Sequence, residues 1–187
     1  MLAAAIQRLA RSATWLRSPR AFVRSQNGAA AVEFALVAAP FVALLVAIIQ
    51  SALVFFAGRV LDETTEEASR YIMTGQASLG GMTQAGFGTY VCNNTFALFT
   101  CSKFMINVQN YSDFSSASTT TPTLTFNSSG NVTNSWSYNT GNPGDIVVVQ
   151  VMYQWPVVLG PLSFNLANLS NGNRLLVSTA VFKNEPY

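Results

Sequence analysis

The sequence predicts an α+β protein: a long N-terminal helix, half of it able to cross a membrane, and a small head built on an antiparallel sheet with one disulfide. Three observations carry this. Residues 34–58 contain no charge for 25 positions. The second half of the chain alternates apolar and polar residues in several short stretches, the period of half-buried strands. Cys92 and Cys101 stand nine positions apart within that second half.

Charges are few and segregated. Charged types make up 10% of the 187 residues, against roughly 25% in average soluble proteins. This argues against a cytosolic globular enzyme and against a disordered charged chain. Residues 1–28 hold Arg8, Arg11, Arg17, Arg20 and Arg24 and no acid. Residues 59–70 hold Arg59, Asp62, Glu63, Glu66, Glu67 and Arg70. The remaining residues, 71–187, hold only Lys103, Asp113, Asp145, Arg174, Lys183 and Glu185, among 14 Asn, 13 Ser and 13 Thr. The chain has no histidine, which removes imidazole metal sites and Ser-His or Cys-His catalysis. Its net charge of +2, with the basic residues gathered before the apolar run, gives no basic face for nucleic acid. No cofactor and no enzymatic activity are expected.

Taken in order, the first element is a basic leader, residues 1–28. Leu2, Ile6, Leu9, Ala13 and Leu16 follow helical spacing with arginines between them, a pattern that lies on anionic membranes and that mitochondrial transit peptides share. Ser18-Pro19 ends any helix there. The apolar run of residues 34–58 spans about 37 Å as a helix, against a hydrocarbon core of about 30 Å. It exceeds the roughly 7–15 apolar residues of a secretory signal. The arginines before it orient the N-terminus to the cytoplasm and the head outside. Pro40 removes one backbone hydrogen bond, which membrane helices tolerate. The expected membrane segment is 29–58.

The helix is expected to continue over 59–76, giving 48 residues and about 72 Å in all, and to stop at Thr74-Gly75-Gln76. Leu61, Thr65, Ala68 and Ile72 share one face, while the charges mostly lie away from it. Glu66 and Arg70 have the favourable i, i+4 order. The head is then 77–187. A second helix is expected over 82–99, weakened by Gly86 and Gly88. Two cysteines in a head outside the cytoplasm favour a Cys92–Cys101 disulfide over a metal or redox site. Strands are expected over 103–111, 145–155 and 174–183, with a weaker one over 123–126. In the second of these, Val147, Val149, Val151, Tyr153 and Trp155 share a face. Residues 127–144 read as loops. Leu159, Leu162, Phe164, Leu166 and Leu169, between the last two strands, fill the head's core under a short helix or else face a neighbour or the membrane surface.

The junction reads Asn27-Gly28-Ala29-Ala30-Ala31-Val32-Glu33-Phe34. Here the sequence resembles prepilin-like proteins of the TadE/TadG family, which combine a basic leader, a small residue before the cut, a glutamate at the fifth mature position and an adjacent aromatic. With Ala29 first, Glu33 is fifth and Phe34 sixth. The resemblance extends to the cysteine pair, to Tyr153-Gln154-Trp155-Pro156 and to the ending Val181-Phe182-Lys183-Asn184-Glu185-Pro186-Tyr187. It is strongest over 24–76 and the last twelve residues, and weakest over 112–144.

The resemblance implies a pilin-like architecture and cleavage between Gly28 and Ala29 by a prepilin peptidase. It implies a minor pilin or pseudopilin of a Tad-type type IV pilus, in the bacterial inner membrane with the head periplasmic, or taken up into an extracellular pilus. Its partners would be the peptidase, other Tad pilins and inner-membrane assembly proteins. A carboxylate at the start of an apolar helix costs up to about 2.5–3.5 kcal/mol at mid-membrane, less near the interface. A neighbour's new Ala29 amine would offset that cost and set the register. A glutamate in headgroup water, loosely paired with Arg24, is the simpler alternative. Ala31, Ala35, Ala39, Ala43 and Ala47 form a small-residue stripe suited to close helix packing, though alanine is also simply common. The competing functional reading is a plain bitopic membrane protein with an extracytoplasmic binding head.

Overall fold

A computed structural model describes residues 28–95, 98–158 and 164–187. Residues 1–27 of the basic leader, and Leu159 and Leu162 of the last connection, lie outside the described residues. The chain divides into two units, 1–45 and 46–187.

One helix, α1, runs Ala29–Met73 with Pro40 inside it. Its alanines and leucines favour it, and Pro40 leaves the Leu36 carbonyl without its intrahelical donor, a loss that membrane helices tolerate. It ends three residues before the expected Gln76. Gly75, at φ 77, takes the left-handed conformation that only glycine adopts at little cost, and its N–H bonds the Ile72 carbonyl at 2.9 Å. A single turn, α2 (Gln76–Leu79), follows.

Within the second unit, the expected face of α1 is the buried one: Leu61, Thr65, Ala68 and Ile72 all bury, together with Val54, Ala57 and Val60. Buried threonines in a helix need partners. The Thr64 and Thr65 hydroxyls return to the Val60 and Leu61 carbonyls at 2.8 and 2.7 Å. The expected Glu66–Arg70 pair does not form. The ion pair among the described residues is Arg59–Asp62, at 3.9 Å.

The second helix, α3, covers Gln84–Asn94, shorter than the expected 82–99. Thr83 caps it, its hydroxyl accepting the Gly86 N–H at 3.1 Å. Phe87, Val91 and Cys92 face inward, and Tyr90 stacks on Tyr71 of α1 with ring centroids 5.1 Å apart. Beyond Asn94 the chain leaves the helix because Phe99 is needed elsewhere. Phe99 packs edge-on against Tyr153 at 4.9 Å and lies 5.5 Å from Phe104. Cys92 and Cys101 are joined as a disulfide, Cα atoms 5.4 Å apart, which closes this loop beside the aromatic cluster.

Three strands follow: β1 (Met105–Tyr111), β2 (Ile146–Pro156) and β3 (Asn173–Lys183). They form an antiparallel sheet in sequence order, with Val108 opposite Val149 and Val149 opposite Ala180. The face of β2 expected to be apolar supplies Val147, Val149, Val151 and Tyr153 to the core, with Trp155 against it. One expectation fails. Residues 123–126 form no strand; Phe126 makes only an isolated bridge to Val132. The connection after β2 forms no short helix over its described residues, 164–172. Leu166 nevertheless packs on the core, as the core reading of that connection requires.

The opposite face of β2 is also buried, because part of the loop segment 112–144 lies over it. Gln150, 2% exposed, donates to the Thr120 carbonyl at 3.2 Å and accepts from Asn107 Nδ2 at 3.2 Å. The Asn107 side-chain Oδ1 accepts the Ser137 N–H at 3.2 Å. Two amides facing each other across neighbouring strands thus satisfy one another and anchor their own cover.

Candidate functional site

The Gly28-Ala29 junction lies in the first unit. Ala29 opens α1, so Glu33 is its fifth residue and stands beyond the first turn, which holds no acid. The helix dipole therefore does little for this carboxylate, since its effect is confined to the first turn. Glu33 is exposed and, among the described residues, has no hydrogen-bond or ion-pair partner. Phe34 beside it is 75% exposed. Gly28 is open as well: a Cβ there would meet nothing within 4 Å. The backbone at Gly28-Ala29 is accessible, and an exposed acid and an exposed aromatic stand one helical turn further on.

The apolar run is bare in the same way. Its most apolar 18-residue window is only 6% buried, whereas a core helix of a soluble protein would be mostly covered. Val37, Phe41, Leu44 and Ile48 project from it. Such an area of exposed apolar surface is stable only against lipid or other apolar helices. Ser51 satisfies its hydroxyl on the Ala47 carbonyl at 2.9 Å.

Residues 28–70 match the family model of TadE-like proteins. That segment is TadE-like. The match begins at Gly28 and takes in Ala29, Glu33 and Phe34, the apolar run and most of the buried face of α1. A segment similar to TadE-like proteins with a bare apolar helix fits a membrane-anchored protein. No curated protein and no solved structure matches the chain.

The head beyond the TadE-like segment carries open clefts among its described residues. One of about 390 Å³ is lined by Ser102, Lys103, Phe104, Trp136, Gln154 and Asn173. Another of about 530 Å³ lies between α3 and the sheet, against Gln84, Gly88, Ile106 and Trp136. Gln84 closes part of the latter by donating to the Ile106 carbonyl at 3.0 Å. The shifted acids sit in turns. Three donors, led by the Ser115 hydroxyl at 2.6 Å, hold the Asp113 carboxyl at about 2. The Asn142 N–H and the Asn110 amide lower that of Asp145. Burial raises the Tyr138 phenol to about 12.

The ending Val181–Tyr187 has a structural use that its local pattern does not reveal. The Glu185 N–H donates to the Met73 carbonyl, the last of α1, at 2.9 Å. Asn184, 2% exposed, donates through Nδ2 to the Thr140 and Asn142 carbonyls at 2.8 and 3.1 Å. The Tyr187 ring lies where a side chain on Gly75 would have to be. The ending that resembled the family is a clasp on the end of α1.

Proposed function

We propose that this chain is a minor pilin or pseudopilin of a Tad-type type IV pilus. Its action is mechanical and not enzymatic. The leader (1–28) and membrane segment (29–58) hold it in the bacterial inner membrane, N-terminus in the cytoplasm and head in the periplasm. A prepilin peptidase cuts between Gly28 and Ala29, and the trimmed helix is taken up into a pilus or its assembly base. The extension (59–76) and head (77–187) remain outside. A head of this size is bulky for a major subunit, which supports the minor role.

The observation that carries this reading is the spacing of Gly28, Glu33 and Phe34 at the open start of an exposed apolar helix. A charge there needs a partner where water is scarce, and the amine that cleavage creates on a neighbour's Ala29 supplies one. The alanine stripe lets the two helices approach closely enough. Other Tad pilins and inner-membrane assembly proteins are the expected partners; nucleic acid and cofactors have no part.

The test is the mature N-terminus, read by mass spectrometry in cells with an active prepilin peptidase. Ala29 is expected in the wild type, and the leader retained in Gly28→Arg. Glu33→Ala should insert normally yet fail to enter the pilus or its base. A wild-type chain that still starts at Met1 would instead favour a plain bitopic protein with a binding head.

A further inference from the structure

The apolar run ends at Gly58, and the second unit brings β3 to that level of α1. Val54 is buried against the head, one turn and about 6 Å before Gly58. Between α1 and the start of β3 lies a cleft of about 290 Å³, lined by Val54, Phe55, Gly58, Arg59, Asp62 and Arg174, with Leu176 beside them. Along α1 the lining passes from the apolar Val54 and Phe55 to the charged Arg59 and Asp62, and β3 adds Arg174. Phe55 is 74% exposed there. Val158, two residues past the end of β2 that pairs with the start of β3, is 72% exposed.

The two arginines differ in how they are held. Arg174 is partly buried, and its Nη1 donates to the Leu166 carbonyl at 3.1 Å, which fixes the guanidinium; among the described residues its other donors make no hydrogen bond. The Arg59 side chain is 87% exposed and reaches Asp62 only at 3.9 Å. Two guanidinium groups against one carboxylate leave the cleft with one net positive charge. Planar guanidinium donors match a phosphate's oxygens.

We propose that this cleft holds the phosphodiester of a membrane phospholipid, with its glycerol and upper acyl chain against Val54 and Phe55, so that the head is seated on the bilayer through its own lipid. The proposal rests on the membrane reading of the apolar run. A soluble phosphate is a poorer occupant because half of the lining is apolar and lies at the depth where the run leaves the hydrocarbon. Asp62 opposes the bound anion and limits its affinity.

The full chain, extracted in mild detergent, is examined by native mass spectrometry for retained phospholipid and titrated with phosphatidylglycerol. Arg59→Gln is expected to weaken retention about fivefold and Arg59→Gln/Arg174→Gln about thirtyfold, the factors that one and two interfacial arginines supply. Asp62→Asn should strengthen retention, an effect that mere loss of packing would not give. Lys183→Gln, at the far end of β3, should change nothing. Arg59 is exposed, so its replacement tests the site without disturbing the fold. Unchanged retention in Arg59→Gln and Asp62→Asn would overturn the proposal. So would displacement of the lipid by millimolar inorganic phosphate, which would make the site a free-anion site. Recovery of the wild-type chain in the soluble fraction without detergent would instead sink the membrane reading itself.

Discussion

The Glu185 N–H and the Met73 carbonyl, 2.9 Å apart, join the end of the sheet's last strand to the end of the longest helix. A helix leaves its last carbonyls without intrahelical partners, and here one of them is answered by a residue far along the chain. Asn184 holds this arrangement in place. Asn184→Ala should leave the Thr140 and Asn142 carbonyls without their donor and lower head stability by about 1–3 kcal/mol. Glu185→Ala keeps the backbone donor and should stay within about 0.5 kcal/mol. Urea denaturation of the two variants, side by side in detergent, checks the contrast; equal losses would mean that side chains other than Asn184 hold the clasp.

Gly75 meets two constraints at once. Its φ of 77 lies in the left-handed region, and the Tyr187 ring occupies the space a Cβ would need. Gly75→Ala should cost at least about 1–3 kcal/mol from backbone strain alone. Adding Tyr187→Ala removes the overlap but not the strain, so the double variant should recover part of the loss relative to the summed singles. A double-mutant cycle with no coupling would show that the ring is not held there.

The disulfide closes a short loop. For its sequence separation of 9, chain-entropy reasoning gives about 2–3 kcal/mol. Cys92→Ser/Cys101→Ser should lower the melting temperature, and a reductant should bring the wild type to the same value. Because Phe99 sits inside that loop against Tyr153, the aromatic near-ultraviolet dichroism should weaken in parallel. A variant melting with the wild type would remove the bridge from the stability argument.

Acid should destabilise the head through Asp145. Its carboxyl is lowered first by the Asn142 N–H at 2.8 Å and then by the Asn110 amide at 3.2 Å. A lowered folded value means that the stabilisation is present above the unfolded value, about 3.9, and is lost as pH falls toward the folded one. Asp113 is held at about 2, but its donors, from Ser112, Ser115 and Ser116, all lie within three residues of it. Such local bonds can persist in the unfolded chain, which mutes their linkage. Melting temperature should therefore fall between pH 5 and pH 2 in the wild type and in Asp113→Asn, and fall less in Asp145→Asn. An identical acid slope in Asp145→Asn would exclude this residue as the source.

Much of the head was legible because its signals are local. Leu61, Thr65, Ala68 and Ile72 repeat at helical spacing, so any partner for α1 had to lie on that side. Val147, Val149, Val151, Tyr153 and Trp155 alternate, so they had to share a face of a strand. What stayed hidden depends on distant segments meeting. Gln150 reads as a polar, outward residue by alternation; it is buried because the segment 112–144 returns over it. Phe99 reads as the last turn of α3; it leaves that helix for an aromatic cluster on β2.

The sequence by itself determined the bare apolar helix, its acid at the fifth position after Gly28, the buried stripe of α1 and the sheet's inner face, because periodicity and charge act over a few residues. Only the tertiary structure decided that Arg174 stands beside Phe55 and Arg59, that Asn107 and Gln150 pair under a polar loop, and that the last residues clasp the end of α1. Those contacts join positions far apart in the chain, and the path that brings them together is fixed by packing of the whole head.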